Sequence, residues 1–572
     1  MVVVGSGAAG LSAACTAAAL CKRVLVLEAT DRIGGTSALS GGMVWIPANH
    51  KMAAAGLEDS QAAAREYLRQ TVPGHADDAR MQAFLERGDD AIRFLETYTS
   101  LRLQAVRRYP DYYPELRGAT AGGRVLEPVP FDGALLGHAF AQLRDPLPEF
   151  MLFGGMMVSR EDLHVLRRVG RSPRAAWRAA LLLARHARPR LRFHRGTTLV
   201  LGNALVARLL QSARDLGVEI LTECPVTDLR IQRGHVTGVR ITQAGQERLV
   251  TAYRGVVLAS GGFSHHAALR QQYVPASAGN VSATLRSGAA HAGAHLAASV
   301  GARLSAPAQG VDDAQAFWVP VSQFRRPDGS AAVFPHTVTD RAKPGLIAVD
   351  QLGQRFVNEA VSYHEFVRAQ LRAPQTRTPA WLLCDSRFLW KYGLGKLRPF
   401  SLSVRAEVVS GYLRQAESIE RLAAVLRLPA ETLADTVRRY NASAAHGLDP
   451  EFGRGVNVYQ RHLGDAEHHP NPCVAPLDKP PFYAVAVVPA DLGMAAGIST
   501  DAHARVLHAD GQPIPGLYAC GNDMHSVMHG AYPGPGITLG PALVFGFIAA
   551  SHACSPHQAA AASPTPMTAT AP

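Results

Sequence analysis

Residues 2–28 read VVVGSGAAGLSAACTAAALCKRVLVLE: a β-branched run, a glycine-rich turn, a small-residue segment and a second apolar run. The pattern predicts a strand over residues 2–4, a helix over residues 8–20 and a strand over residues 23–27. Only Met1 precedes the valines, so the first strand looks clipped at its start. The stretch predicts a βαβ unit that opens a Rossmann-like domain.

The turn between the first strand and the helix matches the dinucleotide-binding pattern GxGxxG. It consists of Gly5, Ser6, Gly7, Ala8, Ala9 and Gly10. Gly5 permits the tight turn, Gly7 lets backbone N–H groups approach a pyrophosphate, and Gly10 lets helix and strand pack closely. Glu28, followed by Ala29, ends the next strand, where its carboxylate would accept hydrogen bonds from ribose hydroxyls. Together these features predict a bound dinucleotide.

A second glycine-rich run decides between NAD and FAD. It consists of Gly34, Gly35, Thr36, Ser37, Ser40, Gly41 and Gly42. Its backbone donors and hydroxyls would line a cofactor longer than the fingerprint alone requires, which favours FAD. A flexible Gly/Ser loop is the alternative for either run taken separately.

The rest of the chain predicts two interleaved domains. Residues 218–221, 236–241 and 255–259 are expected to be strands that return to the first sheet, with turns at residues 233–234 and near residue 245. Residues 482–488 and 516–520 and a helix over residues 539–550 are expected to return again. We therefore predict an α/β fold in which a Rossmann-like FAD-binding domain, 1–274 and 480–554, carries an inserted α+β catalytic domain, 275–479. A disordered tail, 555–572, follows.

The net charge of +12 has a local origin, since arginines cluster between Arg167 and Arg195. Few aromatic residues are interleaved with them, which argues against a nucleic-acid partner and favours a solvated basic face. Residues 175–187, AAWRAALLLARHA, are apolar and rimmed by arginines, as in helices that lie on anionic lipid. Peripheral membrane contact is therefore the alternative interpretation.

Composition and cysteine spacing indicate the class of protein. With 572 residues, 47% of them hydrophobic and 18% charged, the chain is expected to be globular with more than one domain. Seven scattered cysteines, never spaced as CxxC, indicate a reducing compartment and no structural zinc. No apolar run is long enough to span a membrane, so a cytoplasmic location is expected, with membrane association as the alternative.

One group of polar residues resembles a metal site. It consists of His462, Asp465, His468 and His469. These residues lie in a polar, proline-flanked loop without HExxH spacing, so a solvated loop is favoured and no metal is predicted.

Seven motifs carry a family resemblance. GSGAAG, GGTSALSGGMVWIP, VVLASGGF and GLYACGND together resemble the flavoproteins that include fumarate reductase subunits and 3-ketosteroid dehydrogenases. Residues 109–115 (YPDYYPE), 355–366 (RFVNEAVSYHEF) and above all 532–542 (YPGPGITLGPA) resemble the 3-ketosteroid 1-dehydrogenases. The resemblance implies further cofactor contacts at Val226, Ala259, Ser260, Gly261, Gly521, Asn522, Thr538 and Leu539.

The resemblance also implies a reaction and roles for four residues. The reaction introduces a C1–C2 double bond into ring A of a 3-ketosteroid: a tyrosine base takes the C2 proton, and hydride from C1 goes to flavin N5. Tyr363 would be the base, assisted by Tyr112, while the Tyr532 hydroxyl and the Gly536 N–H would stabilise the enolate oxygen. Tyr109 and Tyr113 are alternatives to Tyr112. The expected partners are a hydrophobic, steroid-like ketone and an electron acceptor.

Three alternatives remain open at this stage. A fumarate reductase is disfavoured, because residues 491–497 read DLGMAAG and Tyr532 replaces the expected arginine. A desaturase acting at another position or on another cyclic ketone would use the same chemistry. A non-catalytic binding protein could retain the dinucleotide fold. His525 and His529 stand where the family usually has small residues, which bears on the choice of substrate.

Overall fold

The computed structural model of the protein describes residues 1–74, 77–152, 155–158, 162, 165, 172–286, 293–306, 313–337 and 340–555. Except for Ser555, the predicted disordered tail, 555–572, lies outside the described residues. Among the described residues, no helix combines the length and the apolar character needed to cross a membrane.

The strands and helices follow one another along the whole described chain. The strands are β1 Val2–Val4, β2 Leu25–Leu27, β3 Val44–Trp45, β4 Leu103–Ala105, β5 Val125–Pro128, β6 Phe131–Asp132, β7 Thr198–Leu199, β8 Glu219–Leu221, β9 Val226–Gln232, β10 His235–Gln243, β11 Gln246–Thr251, β12 Val256–Leu258, β13 Ala316–Arg325, β14 Ala331–Pro335, β15 Leu346–Val349, β16 Ala380–Asp385, β17 Arg414–Ala416, β18 Phe482–Met494, β19 Arg505–Leu507 and β20 Pro513–Ala519. The helices are α1 Ala8–Ala19, α2 His50–Ala54, α3 Gln61–Thr71, α4 Ala79–Tyr98, α5 Pro173–Ala187, α6 Leu201–Asp215, α7 Ala267–Tyr273, α8 Gly293–Ala298, α9 Tyr363–Leu371, α10 Pro374–Arg377, α11 Ser386–Tyr392, α12 Arg405–Val409, α13 Ile419–Leu426, α14 Ala430–Ala444, α15 Val458–Leu463 and α16 Leu539–Cys554.

The first sheet is the one that the N-terminal sequence predicts. Its order is β19-β20-β12-β1-β2-β8, and β1 pairs in parallel with both β2 and β12. All three residues of β1 are buried, as expected for a strand with helices on both faces. The helices α1 and α16 cross closely, because a Cβ on Gly546 would lie 2.6 Å from the Ala9 carbonyl oxygen.

One predicted part of this sheet lies elsewhere. Residues 236–241 belong to β10, which pairs antiparallel with β9 and β11 in a separate three-stranded sheet. The predicted turns at Arg233–Gly234 and at Gly245 do form, with positive φ angles. Such tight turns join antiparallel neighbours, whereas parallel strands need a long crossover, so this segment cannot return to the parallel sheet.

The second large sheet contains a strand that the prediction assigned to the FAD-binding domain. Its order is β14-β13-β18-β16-β15, with β17 also paired to β18. The 13-residue strand β18 lies between β13 and β16, so residues 482–488 belong to this sheet and do not return to the first one as predicted. The sequence does not tell which sheet this strand joins, because a buried apolar run suits a central strand of either sheet.

Candidate active site

The turn between β1 and α1 leaves no room for most side chains. Gly5 has a φ of 106°, in the left-handed region that favours glycine, and a Cβ there would lie 2.3 Å from the Ala259 carbonyl oxygen. A Cβ on Gly10 would lie 2.0 Å from the Gly5 oxygen. A Cβ on Gly7, in contrast, meets only the Ser37 hydroxyl, at 3.5 Å. The space at Gly7, where α1 begins, suits a pyrophosphate.

The predicted ribose acid is held rigidly beside this turn. Glu28 is buried, and its carboxylate accepts hydrogen bonds from the Ser6 hydroxyl at 2.5 Å and from the Thr30 hydroxyl at 2.8 Å. The Glu28 carbonyl accepts the N–H of Cys224 at 2.9 Å, two residues before the predicted contact Val226. Glu28, Val226 and the adjacent Ala29 therefore lie at the carboxyl end of the sheet, where ligands bind in such folds.

The two glycine-rich runs lie side by side. The Gly34 N–H donates to the Ser6 hydroxyl at 3.0 Å, and the Ser37 hydroxyl accepts the N–H of Ala8 at 3.1 Å. These bonds place residues 5–10 and 34–37 on one surface, as expected if both contact one cofactor.

The second run also contacts two later segments. The Thr36 hydroxyl accepts the N–H of Leu285 at 3.0 Å. A Cβ on Gly42 would lie 2.4 Å from the backbone nitrogen of Gly202, whose N–H donates to the Ser40 carbonyl at 3.0 Å. The run is thus fixed on both sides.

A buried carboxylate joins the other predicted cofactor segments. Asp523 accepts hydrogen bonds from the Ser260 hydroxyl and from the Gly262 N–H, both at 2.9 Å. Burial raises the pKa of Asp523, against the effect of these donors. The carboxylate holds residues 259–261 against residues 521–522. Asp523, which ends the motif GLYACGND, was not among the predicted site residues.

A small cavity lies beyond these segments. Its walls are formed by Phe317, Met494, Gly521, Asn522, Met524, Ser526, Val527, Ile537, Thr538, Pro541, Ala542 and Phe545. Gly521, Asn522 and Thr538, which line it, are predicted cofactor residues. Leu539, also predicted, begins the 16-residue helix α16 beside the cavity. A helix N-terminus favours negative charge. The glycine turn, Glu28 and the start of α16 form a donor set that fits FAD.

Three tyrosines from distant segments meet beside the cavity. The Tyr363 hydroxyl donates to the Tyr532 hydroxyl at 2.8 Å. The Tyr112 ring stacks on the Tyr532 ring at a centroid distance of 5.6 Å and meets the Tyr363 ring edge-on at 5.9 Å. Phe317, which lines the cavity, contacts the Tyr532 ring at 5.5 Å. We call Tyr112, Tyr363 and Tyr532 the tyrosine cluster; all three are buried.

The neighbours of Tyr112 point to other partners. The Tyr113 hydroxyl donates to Glu365 at 2.9 Å, and the Tyr109 ring packs against the His462 ring at 4.6 Å. The Tyr112 N–H donates to the Pro533 carbonyl at 3.0 Å, which ties its segment to the turn after Tyr532. The geometry therefore favours Tyr112 over Tyr109 and Tyr113 as the third member of the cluster.

The turn after Tyr532 requires glycine at residue 536. Gly536 has a φ of 99°, and a Cβ there would lie 2.6 Å from the Met43 carbonyl oxygen. Its carbonyl accepts the N–H groups of Trp45 at 3.2 Å and Gly540 at 2.8 Å. The Gly536 N–H makes no hydrogen bond to any residue that the structure describes, so it can serve a ligand.

Burial keeps the tyrosine cluster protonated. It raises the pKa of Tyr363 well above its ordinary value; Tyr532 adds to this rise and the Tyr112 hydroxyl opposes it. Burial also raises the pKa of Tyr532 to about 12. All three groups are therefore phenols at neutral pH in this structure, and ionising one of them needs a compensating charge or hydrogen bond.

The comparisons with known proteins agree with this geometry. The sequence model of the FAD binding domain family matches residues 1–539. The chain belongs to this flavoprotein family. It is 36% identical to the 4-oxocyclohex-2-ene-1-carboxylate 5-dehydrogenase of Sinomonas cyclohexanicum, over 96% of this chain and 92% of that protein. It is also 36% identical to the 3-oxosteroid 1-dehydrogenase of Mycobacterium tuberculosis, over 96% of this chain and 97% of that protein.

A solved relative shares the whole fold of this flavoprotein. The 3-ketosteroid delta1-dehydrogenase of Sterolibacterium denitrificans, in complex with 1,4-androstadiene-3,17-dione, matches it with a TM-score of 0.88 at 37% identity. The match covers 97% of this chain and 98% of that one. The predicted fold class, FAD as cofactor and the assignment to FAD-dependent oxidoreductases are thereby confirmed.

Two buried residues beside the tyrosine cluster of this flavoprotein were not predicted. The Tyr459 ring lies 4.8 Å from the Tyr112 ring, and both hydroxyls are buried without a hydrogen-bond partner among the described residues. His364 accepts the Trp318 N–H at 3.1 Å, and burial lowers its pKa to about 3, so the imidazole is neutral. His364 follows Tyr363 directly, which was a usable signal, whereas no motif marks Tyr459.

The histidines singled out at residues 525 and 529 lie in an ion-paired group. His529 Nε2 lies 2.9 Å from Asp78 Oδ2, and Asp78 also pairs with Arg80 at 2.6 Å. Arg80 donates to the His525 carbonyl at 2.9 Å. These contacts explain the His529 imidazole through packing of α4 on the segment before Tyr532, and the His525 ring lies 4.9 Å from the His529 ring.

The loop considered as a metal site has other partners. Asp465 contacts Lys391 and accepts from the Tyr392 hydroxyl, both at 2.6 Å. His468 Nε2 lies 3.0 Å from the Val474 carbonyl oxygen. Over the described ranges, no three His, Cys, Asp or Glu side chains are arranged to hold a metal ion.

Proposed function

We propose that this flavoprotein dehydrogenates a 3-ketosteroid, forming a C1–C2 double bond in ring A. The observation that carries the proposal is the 2.8 Å hydrogen bond between Tyr363 and Tyr532, two residues 169 positions apart in the chain, beside the cavity that Gly521, Asn522 and Thr538 line. A base and an oxyanion donor at one point are what α,β-dehydrogenation of a ketone requires. The relatives named 3-oxosteroid 1-dehydrogenase support the substrate class.

The proton step belongs to Tyr363. Its phenolate takes a proton from C2, and the electrons of that C–H bond move toward the carbonyl oxygen at C3. The Tyr112 hydroxyl is buried without a hydrogen-bond partner among the described residues, and its ring meets that of Tyr363, so it can donate to this phenolate and favour it. The phenolate is the minor form at neutral pH, so the rate is expected to increase as the pH rises.

The developing oxyanion belongs to Tyr532 and Gly536. With its pKa raised to about 12, the Tyr532 hydroxyl keeps its proton and can donate it in a hydrogen bond to the ketone oxygen. The Gly536 N–H supplies a second donor on a rigid turn. As the enolate electrons return to form the C1–C2 double bond, hydride leaves C1. When bound, FAD supplies the hydride acceptor.

The test is anaerobic reduction of the bound flavin by 4-androstene-3,17-dione. We expect bleaching of the flavin and a product two hydrogens lighter, with the new double bond located at C1–C2 by NMR. Tyr363→Phe should abolish most of the bleaching. Tyr253→Phe, at a residue that is 82% exposed, is the matched control and should be silent. A parent enzyme that retains its flavin but is not reduced would contradict the proposal.

A smaller cyclic ketone is the second candidate substrate. Two relatives at 36% identity are named as dehydrogenases of oxocyclohexane or oxocyclohexene carboxylates. The same base and donors would serve such a ring, since the chemistry beside the ketone is the same. Testing 4-oxocyclohexanecarboxylate in the same assay separates the candidates. If this acid reduces the flavin and the steroid does not, the smaller cyclic ketone is the substrate. Turnover would need an added electron acceptor in either case.

We also propose that α5 contacts an anionic membrane surface. Trp177 and Leu181, one turn apart on this helix, are 68% and 47% exposed, and residues 173–195 contain seven arginines and no acidic residue. An exposed apolar face rimmed by cations is typical of interfacial helices. Anionic vesicles should co-float with the protein and neutral vesicles should not. Trp177→Glu should prevent flotation, Leu402→Glu, at a 94% exposed residue, should not, and equal flotation of both variants would contradict the proposal.

A further inference from the structure

Arg341 is a fully buried arginine whose side-chain hydrogen bonds all go to backbone carbonyl groups. Its Nε donates to the His336 carbonyl at 2.9 Å, and its Nη2 to the Thr337 carbonyl at 3.2 Å. Its Nη1 donates to the carbonyls of Glu359 at 2.9 Å and Val361 at 3.3 Å. Each side-chain nitrogen therefore has a partner, but none of these partners is a carboxylate.

The other buried arginines nearby are neutralised. Arg355 contacts the carboxylates of Glu359 and Asp449, both at 2.8 Å, and Arg454 contacts Glu359 at 3.2 Å. Arg341 makes no ion pair with any carboxylate in the described part of the chain. The neighbouring Asp340 carboxylate is engaged with His336 at 2.6 Å. Compensation of Arg341 therefore comes through space from the adjacent Asp340 carboxylate and not from a direct ion pair.

Two facts place the charge of Arg341 beside the tyrosine cluster. Its guanidinium holds the carbonyl of Val361, and Ser362, the next residue, is the N-cap of α9, which begins with Tyr363. Burial raises the pKa of Tyr459, whose ring packs on Tyr112, and the positive charge of Arg341 opposes this rise.

We infer that Arg341 is a positioning residue for the base: it fixes the backbone leading into Tyr363, and its unpaired charge favours one phenolate in the tyrosine cluster. The inference rests on the proposed role of Tyr363. A buried cation without a carboxylate is costly, and a shared anion beside it reduces that cost. Because the hydroxyls of the tyrosine cluster are coupled, an apparent pKa measured for one of them belongs to the cluster as a whole.

The titratable and charged side chains in and around the tyrosine cluster come from several helices, strands and loops. They are Tyr109, Tyr112, Tyr113, His336, Asp340, Arg355, Glu359, Tyr363, His364, Glu365, Arg454, Tyr459, His462 and Tyr532. Glu359 is paired with arginines, Asp340 faces both His336 and Arg341, and His364 is neutral, so Arg341 is the cation that we expect to act on the cluster.

The experiment compares the pH profile of flavin reduction in the parent, Arg341→Gln and Arg341→Lys. Removing the charge should move the alkaline inflection upward by about one pH unit and slow reduction about tenfold at neutral pH, with the difference shrinking as the pH rises. Arg341→Lys keeps the charge and should keep the inflection. An equal slowing of Arg341→Gln at every pH would mean a merely structural role and would overturn the inference.

A second readout does not depend on the substrate. Ultraviolet difference titration of the phenolate band should show one tyrosine group ionising at higher pH in Arg341→Gln than in the parent. If the parent reduces no ketone, the proposed function fails, while this titration still decides the role of Arg341. If Arg341→Gln does not fold, Arg341→Lys decides: an inflection displaced as far as one unit despite the retained charge would overturn the inference.

Discussion

The cofactor region and the tyrosine cluster are built in opposite ways. The glycine turn and Glu28 lie within 28 consecutive residues, and their geometry follows from local backbone requirements such as the 2.0 Å approach of a Gly10 Cβ to Gly5. The cluster brings together residues 112, 363 and 532, and its central contact is one hydrogen bond between side chains. Changes in the first region should therefore remove the cofactor, and changes in the second should leave it bound and alter the rate.

The largest effect is expected from Gly10→Val. Even the first side-chain atom would overlap the Gly5 backbone, so α1 cannot pack on β1 and FAD should be lost together with all activity. Flavin absorbance of the purified protein measures this directly. Gly7→Ala is the control, because a Cβ there meets no protein atom closer than 3.5 Å. It should fold and lose affinity for FAD more mildly. Full flavin content in Gly10→Val would contradict the claim that local backbone requirements determine the cofactor region.

Tyr363→Phe should give the largest effect that leaves FAD in place. Loss of a positioned base typically costs about 10²- to 10⁴-fold in rate, here without loss of steroid binding. Anaerobic stopped-flow reduction, with flavin content measured in parallel, is the assay. Reduction at close to the parent rate would show that the base lies elsewhere.

Tyr532→Phe should be next, at about 10²- to 10³-fold, because the Gly536 N–H remains as a donor to the oxyanion. The same variant removes the acceptor of the Tyr363 hydroxyl, so its pH profile should also change. A variant that weakens steroid binding without lowering the limiting rate would assign Tyr532 to binding alone.

Tyr112→Phe should be the mildest change in the cluster. The Tyr112 hydroxyl opposes the rise in the pKa of Tyr363, so its loss should move the alkaline inflection to higher pH and slow reduction below it. The sign follows because a base with a higher pKa is less ionised at a given pH. Tyr113→Phe is the matched control, since that hydroxyl contacts Glu365. If Tyr113→Phe shifts the pH profile and Tyr112→Phe does not, then Tyr113 and not Tyr112 assists Tyr363.

The contrast between the regions also explains what could be predicted from the sequence. The Rossmann-like fold and the FAD site follow from contiguous residues whose types have local physical causes. The sheet that receives β18 depends on partners far along the chain, and the apolar run of residues 482–488 is compatible with either sheet. The motifs pointed to Tyr363 and Tyr532, but Tyr459 and Arg341 carry no local pattern, because their importance arises only from what packs around them.

The position of β18 has a consequence for engineering. A designer who treated residues 275–479 as a cassette, to be excised or exchanged between relatives, would leave β18 attached to the FAD-binding half without β13 and β16. A long apolar strand with two unpaired edges invites aggregation. A workable graft must therefore carry residues 275–494 as one unit and join the host only beyond Met494.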